Sequence, residues 1–326
     1  MATLYGVVNG LATDATPDSG ADYVMTVDTS ASTLKKVLLS AIGGSGGAVS
    51  PSICDGRLTL TSGTAVTITD VTAATNVYFT PFGGNQVALY DGVSAWAYHT
   101  LTEKTLSLSG LAADTNYDVF VYDSLGLTLE AVAWTDGTTR ATALVLQDGV
   151  YVKSGATTRR YLGTFRTTAT IGQTEDSLEK RYLWNVNQRK PRAVRRIEAT
   201  NSWTYASASY QSANASTANR IGVVVGLAED AIEVSVHAHV IQSNTQIGAV
   251  GIGLDSTSTN SAIVSGVSSG PVGGQRHQIS ARYVGVPGLG FHYLQWLEYA
   301  VAGTVTFEGD NGVTYEQSGM TGMVYA

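Results

Sequence analysis

The sequence predicts an almost wholly β-structured chain built as a small leading module and two β-sandwiches. Three observations carry that expectation. Short runs of alternating apolar and polar residues recur along most of its 326 residues, separated by Gly, Asn and Asp. Charged residues are only 14% of the chain, against about 25% in an average soluble protein. Polarity therefore rests on hydroxyls and amides, which suit a pleated surface where Thr and Val fit well. Apolar residues reach 44%, with 36 Gly and only 6 Pro, a composition that folds and does not stay disordered.

The leading module spans 1–47. Tyr23, Met25 and Val27 alternate in ADYVMTVD, as in a strand. Leu34, Val37, Leu38, Ala41 and Ile42 then fall at helical spacing, with Thr33 as N-cap and Gly43 closing the turn, which predicts a short helix. GGSGG at 43–47 reads as a flexible hinge; it lacks the lysine and the strand–loop–helix setting of a phosphate loop.

Residues 48–165 read as an immunoglobulin-like or fibronectin III-like sandwich acting as a spacer. Their short strands include VYFTPF, QVALYDG, TLSLSGL, YDVFVYD and GVYVKSG. In LSLSGLAADTNYDVFVYD, which resembles the fibronectin type III segment where a Tyr opens a late strand, Tyr117 would be the corner tyrosine. Residues 166–326 carry roughly eight further strands and no long helix, as a jelly roll would. There GTVTFEGDNGVTYEQ reads as a hairpin, with Val305 and Phe307 on one arm, a turn at Asn311-Gly312, and Val313 and Tyr315 on the other.

The net charge of −7 offers no general attraction to nucleic acid or to anionic membranes. Cys54 is the single cysteine, so packing and not an intrachain disulfide must hold the fold. The opening MATLYGVVNGLATD has no signal-peptide pattern, and no uncharged apolar stretch approaches the about 18 residues of a spanning helix. A soluble protein made in a cytoplasm is expected.

Two stretches carry a family resemblance. RYLWNVNQRKPRAVRRIEATNSWTYASASYQSANASTANRIGVVVGLAEDAIEVSVHAHV (181–240) and VGIGLDSTSTNSA (250–262) resemble structural proteins of tailed-bacteriophage virions, namely fibre, spike or head-decoration components. The pieces that match are Trp184-Asn185 with Asn187, the run Ser202 to Tyr205, Ala213-Asn214, Asn219, and Asp255 to Asn260. PDSGADYVMTVDTSASTLKKVLLSAI is similar to the short N-terminal anchors that tie phage fibres to a virion. The resemblance implies a homotrimer on the exterior of the particle, partnered by a capsid or tail platform and facing a host-surface glycan or protein. Tyr23, Val27, Leu34, Val37 and Leu38 are then the virion-anchor candidates. The expected function is a short trimeric fibre or spike. The alternatives are a head-decoration protein that braces the shell without a receptor, and a glycan-cleaving tail spike.

Seven of the 19 basic residues crowd into 17 positions: Lys180, Arg181, Arg189, Lys190, Arg192, Arg195 and Arg196. They could line an anion-binding groove, or pair with carboxylates and carbonyls at a junction between modules or subunits; the second reading leads, because no known nucleic-acid module is present. His237 and His239 stand two apart on one strand and share a face. Around a threefold axis three such pairs would offer six nitrogens to a metal, as some phage fibre tips do; the simpler reading is two polar surface residues. Phe291, Tyr293, Trp296 and Tyr299 could stack on sugar rings, or divide between core and interface. Asp310-Asn311-Gly312 could hold calcium, yet a turn explains it fully. No nucleophile elbow, zinc-protease pair or cysteine nucleophile motif occurs, and the five histidines sit in no acid–base pattern. The expectation is a protein without catalysis and without a cofactor.

Overall fold

The computed structural model describes residues 50–242, 246–268 and 274–326, preceded by the backbone of two strands, β1 (Tyr23–Asp28) and β2 (Thr33–Leu38). Met1–Ser50 and Pro51–Ala326 are separate compact units.

In the first unit β1 and β2 form an antiparallel ladder, with Tyr23 opposite Leu38 and Val27 opposite Leu34. The short helix expected from Leu34, Val37 and Leu38 is corrected to a strand. A six-residue segment is far below the about 12–15 residues an isolated helix needs, whereas pairing with β1 satisfies its backbone directly. Ala41, Ile42 and the glycine run 43–47 lie outside the described residues.

The second unit holds two cores. Its sandwich half begins with β3 (Gly56–Thr59), β4 (Val71–Ala74), β5 (Asn76–Pro81), β6 (Gln86–Tyr90), β7 (Trp96–Thr100) and β8 (Lys104–Ser107). It continues through β9 (Asn116–Asp123), β10 (Leu127–Ala133), β11 (Leu144–Gln147), β12 (Val150–Lys153) and β13 (Ala156–Arg166). One sheet runs β3-β5-β8, the other β10-β9-β13-β12-β11, and β6 pairs with β7. Leu58, Val77, Phe79, Val119, Val121 and Phe165 pack between them. The order β3-β5-β8 and the β9–β10 hairpin follow the immunoglobulin plan. The expected tyrosine corner is present: the Ala112 N–H donates to the Tyr117 hydroxyl at 2.8 Å. The plan departs at β13, which pairs with β9 along Arg160–Arg166.

β14 (Thr174–Asp176), β15 (Lys180–Arg181) and β16 (Leu183–Asn185) stitch the halves together. β4 pairs with β14, β15 runs parallel to β20 (Arg220–Val225), and β16 returns to pair with β13. Each half thus lends a strand to the other's sheet, and the division expected at 165/166 marks no gap between them.

The remaining strands are β17 (Pro191–Ile197), β18 (Ser202–Tyr205), β19 (Gln211–Ser212), β21 (Ile232–Gln242), β22 (Ile247–Leu254), β23 (Ile263–Ser265) and β24 (Val267–Ser268). β25 (Gln275–Gly285), β26 (Gly290–Val301), β27 (Val305–Glu308) and β28 (Gly319–Tyr325) complete the chain, and one 3₁₀ turn spans Ala213–Ala215. One sheet runs β17-β28-β21-β25 and the facing one β20-β26-β22-β24. Numbered one to eight in sequence, these strands order as 1-8-3-6 and 2-7-4-5, the double Greek key of a jelly roll. The core between them contains Val234, Val236, Ala238, Ile252, Leu294 and Trp296. β21 is buried at every second residue, as one covered face requires.

The hairpin expected over 303–317 is corrected. β27 pairs with β18 and β21, and no strand answers it at Val313 or Tyr315. The reason is packing: Phe307 stacks on Trp203 at 5.9 Å, a contact a returning Val313 arm could not match. The turn itself is where the sequence places it. Asn311 adopts a φ of +50°, and the Gly312 N–H donates to Asp310 Oδ1 at 2.8 Å.

Candidate functional site

The basic cluster lies where the two halves are stitched. Asp176 on β14 sits opposite Arg181 on β15. Its Oδ1 accepts from Arg181 Nη1 at 2.8 Å and its Oδ2 from Arg192 Nη2 at 2.9 Å. All three residues are buried. Arg181 also donates twice to the Ala193 carbonyl, at 3.1 and 2.6 Å. From the sandwich, buried Arg57 reaches the carbonyls of Ala65, Gln188 and Ala326 at 3.0, 2.8 and 2.7 Å. Burial first, and then the neighbouring Arg192 guanidinium, weaken the hold of Arg57 on its proton; Asp176 opposes them. One carboxylate and a set of carbonyls therefore serve three guanidiniums, a task for which planar, multi-donor arginine is suited and lysine is not.

Most of the rest of the cluster is also engaged within the chain. Arg189 pairs with Glu229 at 2.8 Å and with Asp230, and its guanidinium lies 5.2 Å from the Trp184 ring. Arg196 pairs with Glu179 at 2.8 Å and donates to Asn219. Lys180 pairs with Glu175 at 2.9 Å. Lys190 sits 5.0 Å over Phe82. Arg195 points outward on β17 and is exposed. Glu229 and Asp230, in the connection between β20 and β21, are thus the carboxylates that Arg189 finds.

A second buried network clasps the jelly roll to the sandwich. Arg140 holds Asp118 through Nε at 2.6 Å and donates onward to the Gly226 carbonyl at 2.6 Å. Thr164 donates to Asp118 at 2.7 Å, and the Thr164 and Tyr161 hydroxyls lie 2.6 Å apart. Burial pushes the Asp118 carboxyl above its ordinary range, with Arg140 pulling it back. Burial likewise pushes the Tyr161 phenol up. This second network was not visible in the sequence, since Asp118 and Arg140 stand 22 positions apart and Arg140 and Gly226 stand 86 apart.

The aromatic candidates divide by strand period. Phe291, Tyr293 and Tyr299 share the outer face of β26, while Trp296 points into the core and is 0% exposed. Trp296 as a sugar-stacking residue is therefore corrected: it is a core side chain, edge-on to Trp203 at 6.0 Å. Phe291 is covered by the Arg166 guanidinium at 4.1 Å and by Tyr182 at 5.7 Å. The Phe291 N–H donates to the Gly137 carbonyl at 2.7 Å, so its end of β26 belongs to the junction. Tyr293 lies under Arg220 at 5.0 Å, and Tyr299 packs on Tyr210 at 5.1 Å.

His237 and His239 share the outer face of β21, as the spacing predicts. Among the described residues no group of three or more His, Cys, Asp and Glu gathers as a metal-binding set. His237 lines a shallow groove with Arg195, Gln317 and Thr321.

Two polar pairings escaped the sequence reading. His292 Nδ1 lies 2.7 Å from Asp255 Oδ2, and the Tyr293 N–H donates to the same carboxylate at 2.9 Å. No sequence pattern links the two; β26 brings them together across 37 positions. Asp255 has a φ of +53°, the one local sign that its turn is specialised. His292 Nε2 is buried without a hydrogen-bond partner among the described residues. Glu298, fully buried, accepts from Trp203 Nε1 and from Gln211 Nε2 at 2.7 Å. Burial nonetheless holds its carboxyl above the usual range.

Among the described residues no helix is long and apolar enough to cross a membrane. No family model matches the chain, and no curated protein matches it. Among solved structures it is similar to one of infectious bursal disease virus, Gx strain, at 14% identity and a TM-score of 0.24, over 83% of this chain and 74% of that one. It is also similar to the insecticidal delta-endotoxin Cry8Ea1 from Bacillus thuringiensis, at 7% identity and a TM-score of 0.22, over 83% of this chain and 51% of that one. A Cry1Da tryptic core variant from the same organism matches at 6% identity and a TM-score of 0.19, over 88% and 54%. The chain spans about half the length of the two endotoxins. Likenesses of this size carry no argument about function.

Proposed function

We propose that the chain is a non-catalytic structural component of a virion, a short homotrimeric projection on the exterior of a tailed-phage particle. In this reading residues 1–47 dock on a capsid or tail platform, the sandwich is a spacer, and the jelly roll presents a surface to the host envelope. The observation that carries it is how the charged groups are used. Buried Arg57 reaches from the sandwich to the Gln188 and Ala326 carbonyls, and Arg140 to the Gly226 carbonyl, ties that suit a body which displays a jelly roll at a fixed distance. The phage-like motifs support the same reading: Trp184 lies under Arg189, Trp203 donates to Glu298, and Asn219 donates to Glu198 at 2.5 Å. The distinctive residues of the resemblance are thus those that build the jelly roll and its seam.

The test uses particles whose copy of this chain lacks residues 1–47 or, separately, 166–326. Loss of the chain from particles without 1–47, and loss of host adsorption by intact particles without 166–326, are expected. Loss of shell thermal stability with unchanged adsorption would move the assignment to head decoration. Release of reducing sugar from host envelope polysaccharide by the purified protein would overturn the non-catalytic reading.

A further inference from the structure

A cleft of about 250 Å³ opens at the seam, where stretches distant in sequence converge. Arg160 on β13 and Val150 and Tyr151 on β12 form its sandwich side; Asn187, Arg189 and Glu229 form the other. That is room for one small ligand, below the about 300–1,000 Å³ of pockets that take drug-sized molecules. Two parts of the wall are pinned. Gln188, between Asn187 and Arg189, holds a φ of +57°, and its carbonyl accepts from Arg57 at 2.8 Å. The β11–β12 turn beside Val150 is tied by Trp96 Nε1, which donates to Asp148 at 2.8 Å.

Arg160 is the anomaly in that wall. It is 2% exposed, and its two Nη atoms donate to the carbonyls of Pro51, Ser52, Ile53 and Ala88. Among the described residues no carboxylate pairs with it, and its Nε is buried without a hydrogen-bond partner. Arg181 and Arg192, also buried, share Asp176. A guanidinium held out of water with no counter-ion is costly, and an anion brought beside it offsets that cost.

The opposite wall narrows the ligand class. Arg189 is already neutralised by Glu229 and Asp230, so it adds planar donors and no surplus charge. Glu229 is 43% exposed, and a carboxylate only accepts hydrogen bonds. A bare oxyanion such as phosphate would meet it as a like charge. A ligand with one negative charge and several hydroxyls suits both walls, and Val150 and Tyr151 give the C–H face of a ring an apolar surface.

We infer that this cleft binds one residue of an acidic sugar, its carboxylate toward the Arg160 wall and its hydroxyls toward Glu229 and Asn187. This rests on the host-surface reading above for the source of the sugar, and adds its chemical class and its place.

The test is a ligand-observed NMR titration of the full chain with glucuronic acid and N-acetylneuraminic acid. Each is used as the free acid and as its methyl ester, with inorganic phosphate alongside. At least one acid should bind, and its ester and phosphate should bind about tenfold more weakly or worse, the scale of one lost charge-assisted hydrogen bond. Glu229→Ala should weaken the acid by about the same factor, and Val150→Trp, which fills the cleft, should abolish binding. Leu125→Trp, at a wholly exposed hairpin tip, should bind as wild type does. Circular dichroism and the urea midpoint check that each variant is folded. A folded wild type that takes neither acid overturns the site, as does an ester or phosphate that binds equally well. Binding that survives both Glu229→Ala and Val150→Trp overturns the location. These failures leave the projection reading standing where particles without 166–326 still lose adsorption. A chain that binds the acid yet is absent from particles overturns that reading and keeps the site.

Discussion

Asp176→Asn tests the seam most sharply, because it removes one charge and almost no volume. In the native protein Asp176 meets Arg181 and Arg192 at 2.8 and 2.9 Å, with all three residues buried. At an effective dielectric constant of about 20, each pair is worth roughly 4 kcal/mol of gross attraction. Several kcal/mol return when the carboxylate no longer has to be desolvated, which leaves a net loss of about 3–5 kcal/mol. Arg57 adds to the cost, since Asp176 is the group that favours its charged form. A loss of that size is a large part of a typical stability of about 5–15 kcal/mol. Urea unfolding of the full chain, followed by tryptophan fluorescence, should show the midpoint falling. Trp184 should report the change early, because it packs at the seam beside Tyr161. A second variant separates charge from packing. Combining Asp176→Leu with Arg181→Met and Arg192→Met removes the ions altogether, and should recover most of the loss. An Asp176→Asn protein within about 1 kcal/mol of wild type would refute the view that this carboxylate anchors the buried arginines beside the seam.

Further outcomes follow from other contacts. Tyr117→Phe leaves the Ala112 N–H without its acceptor and should cost about 0.5–1.5 kcal/mol by urea midpoint, with the fold unchanged. Gly226→Ala would place a Cβ 2.3 Å from both the Trp184 ring and the Tyr161 hydroxyl, so about 1–3 kcal/mol should be lost and the Arg140 clasp loosened. Glu298→Gln tests the raised carboxyl. A group that holds its proton more tightly when folded contributes stability below its unfolded pKa and loses it as pH rises through the folded value. The wild type should therefore gain on Glu298→Gln as pH falls from 7 to 4, and an opposite slope would exclude the raised pKa.

The sequence reading recovered most of the architecture, because period-2 burial is a local signal. β21 alternates between core and surface at each step, and its apolar residues declare it. The same period puts even-numbered residues of β26 inside, which separates Trp296 from Phe291, Tyr293 and Tyr299. β2 failed: TLKKVL fits a helical stripe or a strand, and β1 across the hairpin decides between them. The seam was the least legible part. The arginines were conspicuous, yet their partners Asp176, Glu179, Glu229 and Asp230, on β14 and in the connections after β14 and β20, meet them only in the folded chain. The same holds for Asp255 and His292, which no spacing rule connects.

The central claim is that this chain is part of a virus particle's exterior. Particles from cells that make the protein should be banded by density and labelled with gold-bearing antibody to residues 166–326. Gold on the outside of intact particles, at a constant number per particle, is the predicted result. Protein that stays wholly outside the particle band would contradict the account.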